Sequence, residues 1–288
     1  MGLRVRSHSS VSQVALRWAA TKAVARRDVG VVLKAVRSAL EAIYVRRLTR
    51  KLEGRPRPRH VAIMLDGNRR WARGAGHDDV REGYRVGGAK VTDFLQWCAA
   101  ADIQHVTLWM LSDDNLHRPA DELGPLLEII EETVQRVCAA EEAWEVSVIG
   151  ALDLLPGDTA RVLKEAASRT TGRGGLTVDV AVGYGGRREI VDAVRSAFDR
   201  HISAGGDPRD LAADFDLEHI TDNLYSPAGH DTDFIIRTSG EQRLSGFLLW
   251  QSAYAEVHFV DVLWPAFRQI DLLRALRSYA DRDRRYGR

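Results

Sequence analysis

The chain has 288 residues, of which 45% are hydrophobic and 28% charged, values ordinary for a globular protein with one large core or two modest ones. No stretch reaches the roughly 18 consecutive apolar residues that a membrane-spanning helix needs. The two cysteines, Cys98 and Cys138, form neither a disulfide framework nor a metal motif. We expect both to be reduced packing residues of a cytoplasmic protein.

The net charge of +1 conceals a strong asymmetry along the chain. Residues 1–60 hold 15 Lys and Arg against 3 Asp and Glu, a net of +12, whereas the remaining 228 residues hold 26 against 37, a net of −11. This contrast predicts two regions, a basic extension and linker over residues 1–59 and a second domain over residues 60–288.

Within the extension, apolar side chains recur at helical spacing in two stretches, formed by Val11, Val14, Ala15 and Trp18 and by Val32, Val36, Leu40, Ile43 and Tyr44. The surrounding basic residues favour an amphipathic segment that contacts anionic lipid at a membrane face, or acidic protein. Two alternatives stay open, a solvated helix packed loosely on the body and a cleaved targeting peptide. The prolines of Arg-Pro-Arg-Pro at residues 55–58 then predict an extended linker.

From residue 60 onwards, predicted strands and helices alternate. The strands are expected at 61–65, 103–111, 145–149, 176–182, 233–236 and 257–260, and the helices at 87–100, 121–139, 158–167, 187–201 and 271–284. Short apolar strands that alternate with helices are typical of an α/β fold with a largely parallel six-stranded sheet flanked by helices. Ligands of such sheets bind beyond the carboxyl ends of the strands.

Charged and hydroxyl side chains follow those predicted strand ends. Guanidinium groups suit bidentate phosphate binding, serine hydroxyls add donors, and carboxylates are hard ligands for Mg²⁺. The candidates are Arg70, Arg118, Arg237, Arg243, Ser112, Ser239, Ser245, Asp66 and Glu256. A surface salt bridge remains the alternative for any one arginine. As a set, these residues predict a polyanion site with magnesium.

The familiar nucleotide and hydrolase fingerprints are absent from the sequence. It has no G-x-x-x-x-G-K-[ST] motif, and the glycine-rich segment at 183–186 does not satisfy G-x-G-x-x-G. It also lacks G-x-S-x-G and H-E-x-x-H. Phosphate binding is therefore expected without a P-loop or a dinucleotide fold.

Four segments in chain order carry a resemblance to a known family: HVAIMLDGNRRWA, LSDDNLHRP, VAVGYGGRREI and IIRTSGEQRLSGFLLWQSAYAEVHFVDVLWPAF. They resemble successive motifs of the cis-prenyltransferases, the family of undecaprenyl diphosphate synthase. The doubled arginine, the Asp78-Asp79-Val80 insertion and the Arg-Arg-Tyr-Gly-Arg end are most similar to the actinobacterial short-chain Z-farnesyl diphosphate synthases. The resemblance implies a homodimeric Mg²⁺ enzyme without a nucleic-acid partner, which joins isopentenyl diphosphate to an allylic diphosphate.

The resemblance also implies a role for each matching position. Asp66 matches the catalytic, Mg²⁺-binding aspartate, and Glu256 the second metal-associated acid. The allylic diphosphate cradle is expected from Gly67, Asn68, Arg69, Arg70 and Trp71. The isopentenyl diphosphate site is expected from Arg237, Arg243, Leu244 and Ser245. A loop that closes over the substrate is expected from Ser112, Asp113, Asp114, Asn115 and Arg118. Asn115 is expected to take part in proton transfer, and the tail at 285–287 to reach the partner subunit.

A growing hydrocarbon chain needs an apolar tunnel. Residues of the two predicted helices at 87–100 and 121–139 are its candidates, with plain core packing as the alternative for each: Val91, Phe94, Leu95, Leu126, Leu127, Ile130 and Val134.

Three features depart from the family pattern. The loop reads Asp113-Asp114-Asn115-Leu116 where undecaprenyl synthases usually have Ser/Thr-Glu-Asn-Trp, Tyr84 replaces a histidine, and Arg69 stands where many relatives have glycine. We expect a short product such as (2Z,6E)-farnesyl diphosphate made from geranyl diphosphate. The alternatives are a longer polyprenyl product or a non-catalytic partner subunit, whereas the alternating strands argue against an all-α, trans-type synthase.

Overall fold

The computed structural model describes residues 38–139, 141–226 and 231–282. The chain divides into two units, Met1–Glu53 and Gly54–Arg288, and the first contains helix α1 over residues 38–52. The domain boundary expected after residue 59 stays a prediction. The apolar face expected at residues 11–18, the first two residues of the second stretch (Val32 and Val36) and the tail at 285–287 lie outside the described residues.

The second unit is built on one six-stranded sheet. Its strands are β1 (His60–Met64), β2 (His105–Ser112), β3 (Glu145–Ile149), β4 (Thr177–Tyr184), β5 (Phe234–Arg237) and β6 (Glu256–Phe259). They lie in the order β3-β4-β2-β1-β5-β6, and every neighbouring pair is parallel. All five residues of β1 are buried, as expected for an inner strand of a sheet covered on both faces. The predicted α/β fold and its six strands are confirmed.

The helices of this unit are α2 (Asn68–Gly74), α3 (Arg81–Ala100), α4 (Ala120–Ala139), α5 (Gly157–Ser168), α6 (Gly186–Ser203), α7 (Pro208–Asp214), α8 (Leu217–Thr221) and α9 (Gln269–Ala280). The predictions for α3 to α6 are confirmed, with α3 beginning six residues earlier than expected. The last helix was predicted too far, since α9 ends at Ala280. Helices α2, α7 and α8 were not predicted, because five to seven residues are too few for a helical period to show. None of the described helices has the length and apolar character needed to cross a membrane.

Helix α2 packs closely on α3 through a glycine. A Cβ atom on Gly83 would lie 2.0 Å from the carbonyl oxygen of Asn68, so a larger residue would push the two helices apart. This contact holds α2 beside the end of β1, where the polar residues of the first motif begin.

A buried polar cluster occupies the opposite, amino-terminal edge of the sheet. The imidazole rings of His60 and His105 stack with their centroids 3.8 Å apart. His105 Nε2 lies 2.8 Å from Asp179 Oδ2, His60 Nε2 lies 2.8 Å from Thr107 Oγ1, and the Ser226 hydroxyl donates to Asp179 at 2.5 Å. We call these five residues the histidine cluster.

Candidate active site

The carboxyl edge of the sheet opens into a cleft of about 610 Å³, formed by the ends of β1, β2 and β5 and by α2. Its charged lining comprises Arg69, Arg70, Arg73, Arg118, Arg237, Arg243, Asp66, Asp114 and Glu241. Six guanidinium groups against three carboxylates give the cleft an excess of positive charge. Such a concave, positively charged surface favours anionic ligands.

Asp66 lies two residues beyond the end of β1 and is held there by its backbone. The Thr238 hydroxyl accepts a hydrogen bond from the Asp66 N–H at 3.0 Å and lies 2.8 Å from the Asp66 carbonyl oxygen. Gly67 follows with a φ of 104°, and a Cβ atom there would lie 2.8 Å from the Leu263 side chain. Only glycine fits both constraints. The turn therefore presents the Asp66 carboxylate, 37% exposed, at the mouth of the cleft.

Arg237 is the last residue of β5, and its guanidinium group is 5% exposed. Nη2 donates to Asp66 Oδ2 at 3.0 Å, while Nη1 donates to Ser245 Oγ at 3.1 Å and to the carbonyl oxygen of Arg243. Its Nε is buried without a hydrogen-bond partner among the described residues. Arg237 therefore joins the first strand end to the loop that carries Arg243 and Ser245.

That loop contains a strained backbone position. Ser245 has a φ of 49°, in the left-handed region that residues other than glycine rarely adopt, and its hydroxyl is the one bonded to Arg237. Strain of this kind concentrates at ligand-binding sites, where the surrounding contacts maintain it.

Two carboxylates lie between arginines of different segments. Glu241 forms an ion pair with Arg243 and lies 3.6 Å from Arg70 on α2, so it links the two sides of the cleft. Glu122 on α4 pairs with Arg69 and Arg118 at 3.2 and 2.9 Å. Sequence reasoning identified neither acid.

The loop after β2 brings Asn115 and Arg118 to the cleft. Asn115 N–H donates to the Ser112 hydroxyl at 3.2 Å, and Arg118 donates from Nε and Nη2 to Asn115 Oδ1 at 3.0 and 2.7 Å. Because both bonds fall on the amide oxygen, the amide nitrogen of Asn115 is the group left to donate to a ligand.

The floor of the cleft is apolar and comes largely from the end of β2. Trp109 stacks on Phe247 with centroids 4.9 Å apart, and its Nε1 donates to the Tyr184 carbonyl oxygen at 3.3 Å. Four consecutive residues from Trp109 to Ser112 line the cleft, although alternate residues of a regular strand face opposite sides. The pairing register shifts on both sides of Leu111, which explains this exception.

Most predicted site residues meet in this one cleft. Twelve of them line it: Asp66, Gly67, Asn68, Arg69, Arg70, Ser112, Asp114, Asn115, Arg118, Arg237, Arg243 and Ser245. Five others do not: Ser239 is buried, Glu256 is described below, and the remaining three make other contacts. Trp71 instead stacks on His77 at 5.8 Å, Asp113 accepts a hydrogen bond from the Asp114 N–H at the start of a short 3₁₀ helix, and Leu244 packs against the buried core.

Glu256 is not placed beside Asp66 within one chain, and its metal role stays a prediction. Glu256 opens β6 and pairs in register with Phe234, which pairs with Val61 at the start of β1. Met64 lies three residues further, roughly 10 Å along the strand at ~3.3 Å per residue, and Asp66 lies beyond it. The Glu256 carboxylate accepts a hydrogen bond from Arg282. Within one chain the two acids are therefore too far apart to ligate one ion.

The cleft also contains residues that sequence reasoning missed. Arg73 and Glu241 lie within matched motifs or directly beside them, so an inventory of every charge near the strand ends would have included both. Tyr84 was noted only as a replaced histidine, yet it lines the cleft. Burial raises the pKa of its phenol, an effect that nearby Arg118 opposes.

The predicted apolar tunnel is not seen as a lined cavity in the described part of the chain. Of its seven candidates, Leu126 alone lines the cleft, and the others are buried in the core between α3, α4 and the sheet. The tunnel stays a prediction.

The donor set at the cleft fits Mg²⁺ that arrives with a phosphate ligand. Across residues 38–139, 141–226 and 231–282, no group of three or more His, Cys, Asp or Glu side chains could hold a metal ion. Mg²⁺ commonly binds through one or two carboxylates, with substrate phosphates and water completing its octahedron. Asp66 beside several arginines suits that arrangement better than a protein-built cage.

Comparisons with known proteins show the family of the chain. The family described as "Putative undecaprenyl diphosphate synthase" matches residues 63–287. The chain is 64% identical over 254 residues to isoprenyl transferase 2 of Streptomyces coelicolor, and 55% identical over 252 residues to (2Z,6E)-farnesyl diphosphate synthase of Thermobifida fusca. Each alignment covers 88% of this chain and 98% of the relative.

A solved structure shows the same fold. The structure of lavandulyl diphosphate synthase from Lavandula x intermedia in complex with dimethylallyl diphosphate superposes with a TM-score of 0.73 and 32% sequence identity. The match covers 80% of this chain and 98% of the other. Both the sequence and the fold therefore place the chain in the undecaprenyl diphosphate synthase family, the cis-prenyltransferases.

Proposed function

We propose that the cleft condenses isopentenyl diphosphate with an allylic diphosphate, geranyl diphosphate by preference, to give a short Z-prenyl diphosphate such as (2Z,6E)-farnesyl diphosphate. The observation that carries the proposal is one cleft that six arginines and Asp66 line together with apolar residues. Charged walls suit two diphosphates, and an apolar floor suits hydrocarbon. A non-catalytic partner subunit would have no use for this set of charges.

Four of the six arginines fall into two groups from different segments of the chain. Arg70 and Arg73 belong to α2, beside the backbone of Gly67 and Asn68, and we assign this side to the allylic diphosphate. Arg237, Arg243 and Ser245 form the other group, which we assign to isopentenyl diphosphate; the Arg237–Ser245 hydrogen bond of 3.1 Å supports their acting together.

In the reaction, the bond between C1 of the allylic chain and its diphosphate oxygen breaks, and the diphosphate leaves with the electron pair. The double bond of isopentenyl diphosphate attacks C1, and a proton is then lost from the new chain. The arginines of α2 stabilise the charge that develops on the leaving group. Asp66 would hold Mg²⁺, which when bound neutralises diphosphate charge. Asn115 is retained as the candidate for assisting proton transfer, through the amide that Arg118 orients.

A short product is supported by the limited apolar lining. Its members are Met64, Leu65, Trp109, Met110, Leu111 and Leu126. The residues deeper between α3 and α4, among them Phe94 and Val134, are at most 1% exposed and do not line the cleft. A long polyprenyl chain would have to displace this core, whereas a chain of a few isoprene units would not.

The direct test is an assay of the purified full-length protein with Mg²⁺, radiolabelled isopentenyl diphosphate, and dimethylallyl, geranyl or farnesyl diphosphate as primer. We expect incorporation with geranyl diphosphate and a fifteen-carbon product of Z geometry on chromatography. Products of ten or more isoprene units would replace the short-chain assignment with a long-chain one. No incorporation with any primer would refute the enzymatic proposal.

We also propose that the protein is a homodimer. Strand β6 lies at the edge of the sheet, and Phe259 at its end is 37% exposed. An edge strand that ends in an exposed aromatic residue is a surface that a second copy can cover. Light scattering after size-exclusion chromatography should give twice the chain mass of 32.1 kDa, and Phe259→Glu should lower that mass.

We propose that the protein is cytoplasmic and that its basic extension contacts anionic membrane surfaces. The net charge of +12 over residues 1–60 supports this, as do Leu40 and Ile43 on α1, each 62% exposed. In a flotation assay, the full chain should bind phosphatidylglycerol vesicles and should not bind phosphatidylcholine vesicles. Equal flotation of the Leu40→Ser, Ile43→Ser double variant would argue against a role for α1.

A further inference from the structure

One carboxylate behind the cleft collects donors from three segments. Glu122 lies in the first turn of α4, is 26% exposed, and does not line the cleft. Its Oε1 accepts hydrogen bonds from Arg118 Nη1 at 2.9 Å, Arg69 Nη1 at 3.2 Å and the Tyr84 hydroxyl at 3.4 Å. These donors come from the loop after β2, from α2 and from α3.

All three donors, Arg69 among them, also line the cleft. The Arg69 side chain is 47% exposed, and its bond to Glu122 restrains a side chain that would otherwise lose conformational entropy on meeting a ligand. A single acceptor therefore restrains side chains of three segments.

The guanidinium group of the third donor, Arg118, is held by hydrogen bonds from most of its N–H groups. Tyr84 Oη accepts a hydrogen bond from Arg118 Nη1 at 2.8 Å, in addition to the bonds that Arg118 makes to Glu122 and Asn115. Four of its five N–H groups thus have acceptors in the described residues, and one on Nη2 is left to donate to a ligand. A guanidinium group fixed in this way positions Asn115 as well as itself.

Tyr84 can serve both neighbours only as a neutral phenol. It accepts from Arg118 with an oxygen lone pair and donates its proton to Glu122. Burial raises the pKa of the Tyr84 phenol, so the proton stays in place at neutral pH. An imidazolium at this position would have no lone pair for Arg118.

We propose that Glu122 and Tyr84 are positioning residues: with Arg69 and Arg118 they form a latch that ties α2 to the loop after β2 and sets Arg118 and Asn115 for the allylic diphosphate. The assignment to the allylic side rests on the proposed function. Arg69 adjoins the residues assigned to that diphosphate, and the latch makes no hydrogen bond to Arg237, Arg243 or Ser245 in the described residues.

Steady-state kinetics test the side on which the latch acts. Glu122→Gln should raise the KM for the allylic diphosphate about tenfold to a hundredfold, and Tyr84→Phe about threefold to tenfold, with the KM for isopentenyl diphosphate within about twofold of wild type. The matched controls are Glu128→Gln, an exposed glutamate of α4, and Arg85→Ala, an exposed arginine of α3 paired with Glu82. A parallel rise of both KM values would overturn the proposal.

A double-mutant cycle separates positioning from direct substrate binding by Arg69. If Arg69 acts through Glu122, the Arg69→Ala, Glu122→Gln protein should be no more impaired than Glu122→Gln alone. Losses in kcat/KM that multiply would mean that Arg69 acts on the substrate independently, and would remove it from the latch.

Calorimetric titration with inorganic pyrophosphate and Mg²⁺ needs no turnover, so its outcome is independent of the proposed reaction. Removing the charge of Glu122 would by itself tighten anion binding, whereas loss of positioning weakens it. We expect weaker binding by both Glu122→Gln and Tyr84→Phe. Tighter or unchanged binding by either variant would overturn the latch, even if wild-type enzyme makes the expected product. Tyr84→Phe changes one oxygen atom and guards against a folding defect in Glu122→Gln.

Discussion

The two ends of the sheet both gather polar side chains, but they differ in what those side chains can still bind. At the amino-terminal edge, His60, His105 and Asp179 are at most 5% exposed, and each makes a hydrogen bond within the protein. At the carboxyl edge, the Arg70 and Arg243 side chains are 48% and 62% exposed in an open cleft. A buried polar group must find its partners inside the protein, whereas an accessible one can exchange water for a ligand. The comparison shows that accessible, unbalanced charge marks the site.

The largest effect on turnover is expected at Asp66, at the carboxyl edge of the sheet. Asp66→Ala should lower turnover about a thousandfold, because the variant loses both the carboxylate that would hold Mg²⁺ and the partner of Arg237. The measurement is single-turnover transfer of labelled isopentenyl diphosphate. Asp78→Ala is the control: this exposed aspartate lies outside the cleft and should change the rate by less than about twofold. A loss below tenfold for Asp66→Ala would exclude the metal assignment.

The next effect tests whether geometry matters as much as charge. Arg237→Lys keeps the positive charge but cannot reach Asp66, Ser245 and the Arg243 carbonyl oxygen together. We expect kcat/KM for isopentenyl diphosphate to fall about tenfold to a hundredfold. Arg161→Lys, at an exposed ion pair on α5, should have no measurable effect on this constant. Equal values for Arg237→Lys and wild type would show that a point charge suffices.

At the amino-terminal edge of the sheet we expect the reverse, a loss of stability with little loss of activity. Asp179→Ala removes the acceptor of His105 and Ser226, and should lower the free energy of unfolding by about 2–4 kcal/mol. Urea denaturation followed by circular dichroism measures this change. The control is Asp158→Ala, which removes a fully exposed carboxylate. If the folded Asp179→Ala protein lost more than about fivefold in kcat, the distinction between the two edges would be wrong.

The smallest expected effect is a pH dependence of stability that comes from Glu189. This carboxyl group lies near the carboxyl edge of the sheet but makes its hydrogen bonds inside the protein. Glu189 accepts hydrogen bonds from the Tyr184 hydroxyl, the Gln251 amide and the Tyr225 N–H. Burial raises the pKa of Glu189 above its ordinary value of 4.5, against the effect of these donors. The stability linked to its proton is therefore fully present below pH 4.5 and lost as pH rises through the raised pKa.

The measurement compares wild type with Glu189→Gln, which cannot titrate. Relative to Glu189→Gln, the unfolding free energy of wild type should fall as pH rises from about 4.5 to 7 in urea titrations. A wild-type value that rises relative to the variant over this range would mean that the pKa shift has the opposite sign.

The sequence was sufficient for the sheet and for most of the cleft because both follow local rules. Apolar runs such as the one before Asp66 predict buried strands, and parallel strands bring their carboxyl ends together wherever they lie in the sheet. The rule placed Asp66 and Arg237 in one site although 171 residues separate them.

What could not be predicted depends on register and on side-chain reach. Glu256 follows Arg237 in the same motif, but the direction of β6 places it at the amino-terminal edge of the sheet. Glu122 lies on a helix and reaches three donors through its side-chain length, which no periodicity encodes. The register shift at Leu111 has no composition signal of its own, and so the floor of the cleft was missed.

That floor links product length to folding. Trp109 stacks on Phe247, and both belong to the packed cluster that includes Met64 and Tyr184 on the sheet. In the proposed reaction, the surface that contacts the hydrocarbon is thus also part of the packed core. A lineage that deepens the cleft by shortening Trp109 would open a cavity in its own interior, so longer products can evolve only alongside compensating changes that restore stability.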